Sequence, residues 1–138
     1  MSFHLEVLSP VKKIYDGDVT EVMLPSTTGD IAVLSKHMPF VTPLTFGEVN
    51  IKRESNAMDI YTIGKGLFFI KEDRATLLIE DVKSSEEISE SDAEEARKKA
   101  QDLIAKGITP EEKLQGTYLL RRSLIDLRLI KKRQRKFT

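Results

Sequence analysis

The stretch LPSTTGDIAVLSKHMPFVTPLTFGEV, Leu24 to Val49, decides the fold. Three prolines (Pro25, Pro39, Pro43) and two glycines (Gly29, Gly47) interrupt its short apolar runs. Proline removes a backbone donor and glycine admits positive φ, so this density marks turns and sheet edges rather than a helix. Ile31 to Leu34 reads as a short buried strand, and His37 follows an acidic turn at Asp30.

The segments on either side continue the pattern. Phe3, Leu5 and Val7 alternate with His4, Glu6 and Leu8 until Pro10 stops the run. Asp16-Gly17 is a turn signal, followed by a strand through Val19, Val22 and Leu24. Val49 and Ile51 alternate with polar neighbours up to a turn at Ser55-Asn56. Met58 to Ile63, Leu67 to Ile70 and Ala75 to Glu80 are separated by Gly64-Lys65-Gly66 and Glu72-Asp73. Short strands with turn chemistry at this spacing predict an antiparallel sandwich or barrel.

At Lys83 the sequence changes character. An acidic, Ala-rich stretch follows, with Ser91 and Glu94 at capping-box spacing and Ser89 with Asp92 as a looser variant. Ala93, Ala96, Ala100, Leu103 and Ile104 fall at helical spacing, and Gly107 reads as the C-cap. Thr109-Pro110-Glu111-Glu112 starts a second helix, with Thr as N-cap and Pro in the first turn. Two helices joined this closely form an antiparallel hairpin. The fold class is α+β: an N-terminal antiparallel β-sandwich over residues 1–83 and a C-terminal two-helix hairpin over 84–138.

Composition narrows the function. The hydrophobic fraction of 40% supports a core, yet no run reaches the roughly 20 apolar residues of a spanning helix. The absence of Cys excludes thiolate metal sites and disulfides. Phe3 to Val7 reads as a strand and not as an export leader, so a cytosolic face is expected. The net charge of zero conceals an asymmetry: residues 1–83 carry −3, 84–112 carry −5 and 113–138 carry +8. A cationic end of that size implies an anionic partner, or an acidic segment of the same chain.

No catalytic constellation stands out. Gly64-Lys65 lacks the earlier Gly and the following Ser/Thr of a phosphate loop, so a hairpin turn is the better reading. His4 and His37 have no third ligand at metal-binding spacing, and no metal site is expected. His37 reads first as a loop histidine bonded locally, and second as a contact residue on a docking loop. The basic run from Lys131 to Lys136 suits a solvated helix end, a nucleic acid, or an acidic protein surface. Against nucleic acid stand the few aromatics near it and the slightly acidic body.

Several stretches in order resemble the epsilon-subunit family of rotary F-type ATP synthases. Gly29-Asp30-Ile31, His37-Met38-Pro39, Thr42 and Leu44 resemble its signature. Tyr15 to Val19 resembles its first hairpin and Gly64-Lys65-Gly66 its Gly-rich turn. Arg121, Arg122 and Leu127-Arg128-Leu129-Ile130 resemble its Leu/Arg-rich last helix. The resemblance implies a non-catalytic rotor subunit of the central stalk, coupling proton (or other ion) translocation to ATP synthesis. It implies three partners: the gamma subunit, the c-ring and the alpha/beta catalytic head. No nucleic acid is expected, and contact with the membrane only through the complex. Asp30, His37, Met38 and Pro39 would form a docking loop for gamma and the c-ring. Arg121, Arg122, Arg128, Lys131, Lys132 and Arg133 would form a regulatory basic helix restraining ATP hydrolysis. The location implied is the cytoplasmic face of a bacterial plasma membrane, or a chloroplast thylakoid.

Two stretches depart from the family pattern. Some bacterial members bind ATP through Ile/Leu-Asp-x-x-Arg-Ala at the start of the first helix. Here Ile88, Ser89, Asp92 and Ala93 stand at those positions, so a carboxylate is missing and the cation has become an acid. ATP binding is therefore expected to be weak or absent, leaving no cofactor. Lys36 stands before His37 where the family commonly has Gly. The alternative from a different class is a β-sandwich interaction module with a basic, nucleic-acid-binding helical arm.

Overall fold

The computed structural model describes the chain apart from Glu86, Ile108, Phe137 and Thr138, and apart from the side chains of residues 133–136. Two compact units divide at Ser84/Ser85.

The first unit contains nine strands: β1 (Phe3–Leu8), β2 (Lys13–Ser26), β3 (Gly29–Leu34), β4 (Phe40–Leu44), β5 (Gly47–Arg53), β6 (Met58–Ile63), β7 (Gly66–Lys71), β8 (Arg74–Ile79) and β9 (Lys83–Ser84). Hydrogen bonding runs β1-β8-β7-β4-β2-β5-β6-β9, with β3 on β2 and a further β1–β2 pairing that closes the path. Both layers share β2. Its first half pairs with β1 and its second half lies between β3 and β5. The register shifts between Val19 and Glu21, and Val19 and Val22 are both buried although three residues apart. An extra residue at that bulge reverses the inward face and lets one strand serve two sheets.

Cross-strand rows fill the core. Phe40, Ile70, Ala75 and Leu5 are neighbours across β4, β7, β8 and β1, followed by Thr42, Phe68, Leu77 and Val7. Phe68, Leu77, Leu5 and Val7 have no exposed surface.

Four strand-level expectations are corrected. Asp16-Gly17 is not a turn, because β2 runs straight through it, with Gly17 opposite Leu5. The turn lies at Ser9 to Lys12, where Ser9 N donates to Lys12 O at 2.9 Å and Pro10 presets φ. Gly64-Lys65-Gly66 does not close a hairpin: β6 pairs with β5 and β9, and β7 with β4 and β8. Its glycine serves close packing, since a Cβ on Gly66 would stand 2.6 Å from Leu78 O. Ile31 to Leu34 is a sheet-edge strand rather than a buried one: Val33 alone is fully buried, Ile31 is half-buried against the core and Leu34 is 54% exposed. Pairing is antiparallel except between β1 and β8, which run parallel.

The second unit is α1 (Glu90–Lys106) and α2 (Pro110–Lys136). Ser89, rather than Ser91, caps α1 by accepting from Asp92 N at 3.4 Å. This start puts Glu90 and Asp92 in the first turn, where the helix dipole favours them. Gly107 is the C-cap but extended (φ −61°), with its N–H on Leu103 O at 2.9 Å. Thr109 caps α2 as its sequence signal requires, accepting from Glu112 N at 3.2 Å. Gly116 of α2 lies against α1: a Cβ there would be 2.9 Å from Ile104 Cγ1 and 3.1 Å from Ala100 O. The start of α2 therefore meets the end of α1, as in an antiparallel pair.

Candidate docking surfaces

Asp30 and His37 are not on one loop. Asp30 is exposed near the tip of the β2–β3 hairpin, opposite Pro25. That tip is shaped by Gly29 at φ +129°, a conformation L side chains avoid, and by Ser26 Oγ donating to Gly29 O. The residues after β3 carry His37, so the part of the strand from Asp30 to Leu34, about 13 Å at 3.3 Å per residue, separates the two.

His37 Nδ1 donates to Met38 O at 2.7 Å, and its ring centroid lies 5.3 Å from that of Phe40. The local hydrogen bond expected of a loop histidine is therefore present. In the neutral ring it fixes the proton on Nδ1 and leaves Nε2 as an acceptor. Met38 beside it is 72% exposed, and Pro39 is exposed too. Lys36 adopts φ 66°, the left-handed conformation that a glycine takes easily. His37, half-buried, thus stands with the exposed Met38 and Pro39 in one small group, and Asp30 belongs to another.

A second surface was missed by the motif reading. On the outer side of β4, β7, β8 and β1, Val41, Phe69, Thr76 and Glu6 form one row, and Pro43, Leu67, Leu78 and Leu8 the next. Val41 is 65% exposed, and Leu67, Phe69 and Leu78 are also exposed. The signal was present in the unbroken apolar runs Leu67 to Ile70 and Leu77 to Ile79, because a strand with a polar outer face alternates. Large exposed side chains in adjacent rows mark a contact surface.

In the helical unit the six basic positions do not share an environment. Arg121, Arg128, Lys131 and Lys132 are exposed. Arg121, Arg128 and Lys132 are seven and four residues apart, which places them on one helix stripe. Arg122 is a correction: it is 5% exposed, with Nε 3.5 Å from Oδ1 of Asp126, itself 2% exposed. Its spacing turns it inward, so in this conformation it does not contribute to the cationic surface. The side chain of Arg133 lies outside the described residues.

The stretch Ile88, Ser89, Asp92 and Ala93 also divides. Ile88 and Ala93 are buried, the Ser89 hydroxyl is taken by its cap, and Asp92 is exposed. Between the start of α1 and the end of α2 lies a groove of 510 Å³. Glu90, Glu94 and Arg97 line it from α1, and Arg128 and Lys131 from α2. Arg97 is committed to Glu94 at 2.9 Å. Among the described residues no cluster of His, Asp and Glu could hold a metal, and no helix is long and apolar enough to cross a membrane.

Residues 2–85 match the ATP synthase delta/epsilon chain β-sandwich domain family, which covers the first unit except Met1. The chain belongs to the ATP synthase epsilon chain family. It is 32% identical over 134 residues to the epsilon chain of Caldanaerobacter subterraneus subsp. tengcongensis, covering 96% of both chains. The epsilon chain of Trichlorobacter lovleyi is 34% identical over 134 residues, again with 96% of each covered. The chloroplastic epsilon chain of Tupiella akineta is 27% identical over 130 residues, 94% of this chain and 99% of that one. A chain in the mitochondrial ATP synthase structure from Euglena gracilis shares the fold at a TM-score of 0.79 and 18% identity, covering 88% of this chain and 77% of that one. This epsilon chain is a non-catalytic central-stalk subunit of an F-type ATP synthase, a membrane-associated complex.

Proposed function

We propose that this epsilon chain docks through its β-sandwich on the gamma subunit and the c-ring, and that its helical unit restrains ATP hydrolysis by the catalytic head. Docking would couple ion flow through the ring to ATP synthesis, on the cytoplasmic face of a bacterial plasma membrane. Two exposed surfaces support the first half. The apolar rows at Val41, Leu67, Phe69 and Leu78 offer the desolvatable area that a permanent subunit contact needs. The group at His37, Met38 and Pro39 offers a compact contact on a rigid scaffold.

The observation that carries the second half is the charge. Residues 113–138 hold nine cations and one acid, and three of the cations, Arg121, Arg128 and Lys132, lie along one stripe. A cationic helix is attracted to acidic protein surfaces, and the pairing weakens with salt. An arm that engages the head in one state and not in another needs contacts that differ between the two.

ATP binding at the start of α1 is expected to be weak or absent. Asp92 puts an exposed acid where a cation would meet phosphate, Arg97 in the adjoining groove is paired with Glu94, and the Ser89 hydroxyl is already used. Calorimetric titration with millimolar ATP is expected to show no saturable binding, whereas saturation would contradict this reading.

The coupling role is tested by adding the chain to proteoliposomes holding the synthase depleted of its epsilon subunit. Restored ATP synthesis under an imposed ion gradient is expected. Phe69→Glu, which puts a charge into the apolar rows, should abolish the restoration. Full activity with Phe69→Glu would show that this surface does not dock.

A further inference from the structure

The turn joining β7 to β8 contains only Glu72 and Asp73 between the paired residues Lys71 and Arg74. Both take positive φ, 53° and 58°. A two-residue hairpin turn of this kind favours Asn and Gly, so Glu-Asp is a costly choice locally. The Asp73 side chain shows what that choice provides. Its Oδ1 accepts from the backbone N–H of Lys36 at 2.6 Å, and its Oδ2 accepts from Ser35 Oγ at 3.3 Å. Lys36 is itself left-handed (φ 66°) and directly precedes His37, Met38 and Pro39. A carboxylate accepting a backbone N–H makes a strong, short bond, and here it crosses 37 residues of sequence. A residue in the left-handed region persists only where its surroundings hold it there.

We propose that Asp73 is the positioning residue of the His37 loop, its carboxylate holding Ser35 and Lys36 so that His37 and Met38 are presented in one fixed geometry. The proposal rests on the reading of His37, Met38 and Pro39 as a docking surface. It explains why Lys is tolerated before His37: the latch from β7–β8 imposes the conformation that glycine would adopt unaided.

The test uses the full chain with Asp73→Gly and Asp73→Asn. Glycine suits the turn and removes only the carboxylate, so the melting temperature should stay within about 4 °C. Exchange of the Lys36 amide, read by NMR, should accelerate by roughly tenfold or more as its acceptor is lost. Affinity for a detergent-solubilised gamma–c-ring assembly should fall by about tenfold, the equivalent of one strong contact. Asparagine retains an acceptor oxygen and tolerates the left-handed turn, so it should recover most of both losses. Unchanged Lys36 exchange in Asp73→Gly would overturn the latch. Accelerated exchange with unchanged affinity would overturn its positioning role. His37→Ala is the separate control for the underlying reading: full affinity in that variant would overturn the docking surface, whatever Lys36 does.

Discussion

Asp16 shows how a local signal can be overridden by partners far along the chain. His4 Nε2 lies 2.6 Å from one of its oxygens and Lys13 Nζ 3.1 Å from the other. The hydrogen bond from Lys13, with help from His4, holds the Asp16 carboxyl below its ordinary range, and the same bond raises Lys13. A depressed carboxyl contributes stability above its unfolded value of about 3.8 and loses it as pH falls through the lower folded value. Urea midpoints between pH 4 and pH 2 should therefore fall less steeply in Asp16→Asn than in the native chain. An identical slope would show that the contact contributes nothing, as many exposed ion pairs do. Asp-Gly was legible as a turn only because short-range statistics dominate a single sequence. Ser9-Pro10 supplied the real turn, and Gly17 gave Tyr15 room, its missing Cβ being 3.1 Å from the phenol oxygen. Buried positions were easier to read than turns. Phe68 lies at the centre of a cross-strand row, and Phe68→Ala should cost about 3–5 kcal/mol by thermal unfolding.

At the level of elements, the helices follow capping chemistry and the edge strand follows topology. Thr109-Pro110 began α2 where the sequence indicated, because cap signals are local and self-contained. β3 could not be recognised as an edge, since edge or centre depends on which strand lies alongside and not on the strand's own residues. Gly116 was invisible for the same reason. Its role is the approach to Ala100 and Ile104 of the other helix. Gly116→Ala gains about 1 kcal/mol of helix propensity yet puts a Cβ near the Ala100 carbonyl, a strain of about 1–3 kcal/mol. The helical unit should lose stability, seen as earlier loss of helical circular dichroism on heating. A rise in midpoint would mean the helices separate easily at that point. The inward Arg122–Asp126 pair leads to a second expectation. Asp126→Ala should destabilise this unit by roughly 3 kcal/mol, whereas Arg122→Met with Asp126→Leu should be neutral or stabilising. Denaturant titration of both variants distinguishes the two.

For the whole molecule, the sandwich and the hairpin were legible because patterning changes at Lys83 from alternation to helical period, and because charge segregates along the chain. The docking group was legible only in part. His37, Met38 and Pro39 are contiguous in sequence and stay together, but Asp30 is removed by a strand and Asp73 arrives from another hairpin. The resemblance places Arg122 in a basic helix, but neither a motif nor a charge count shows that this side chain points inward. Restraint by the +8 segment can be read from ATP hydrolysis by the reconstituted catalytic head with gamma. Three forms would be compared: the full chain, a version ending at Ile108, and the full chain with Arg121, Arg128 and Lys132 changed to Ala. Only the unaltered full chain is expected to slow hydrolysis, with the inhibition weakening as salt rises. Equal hydrolysis in all three, with binding to gamma retained, would contradict it and leave the helices a purely structural role.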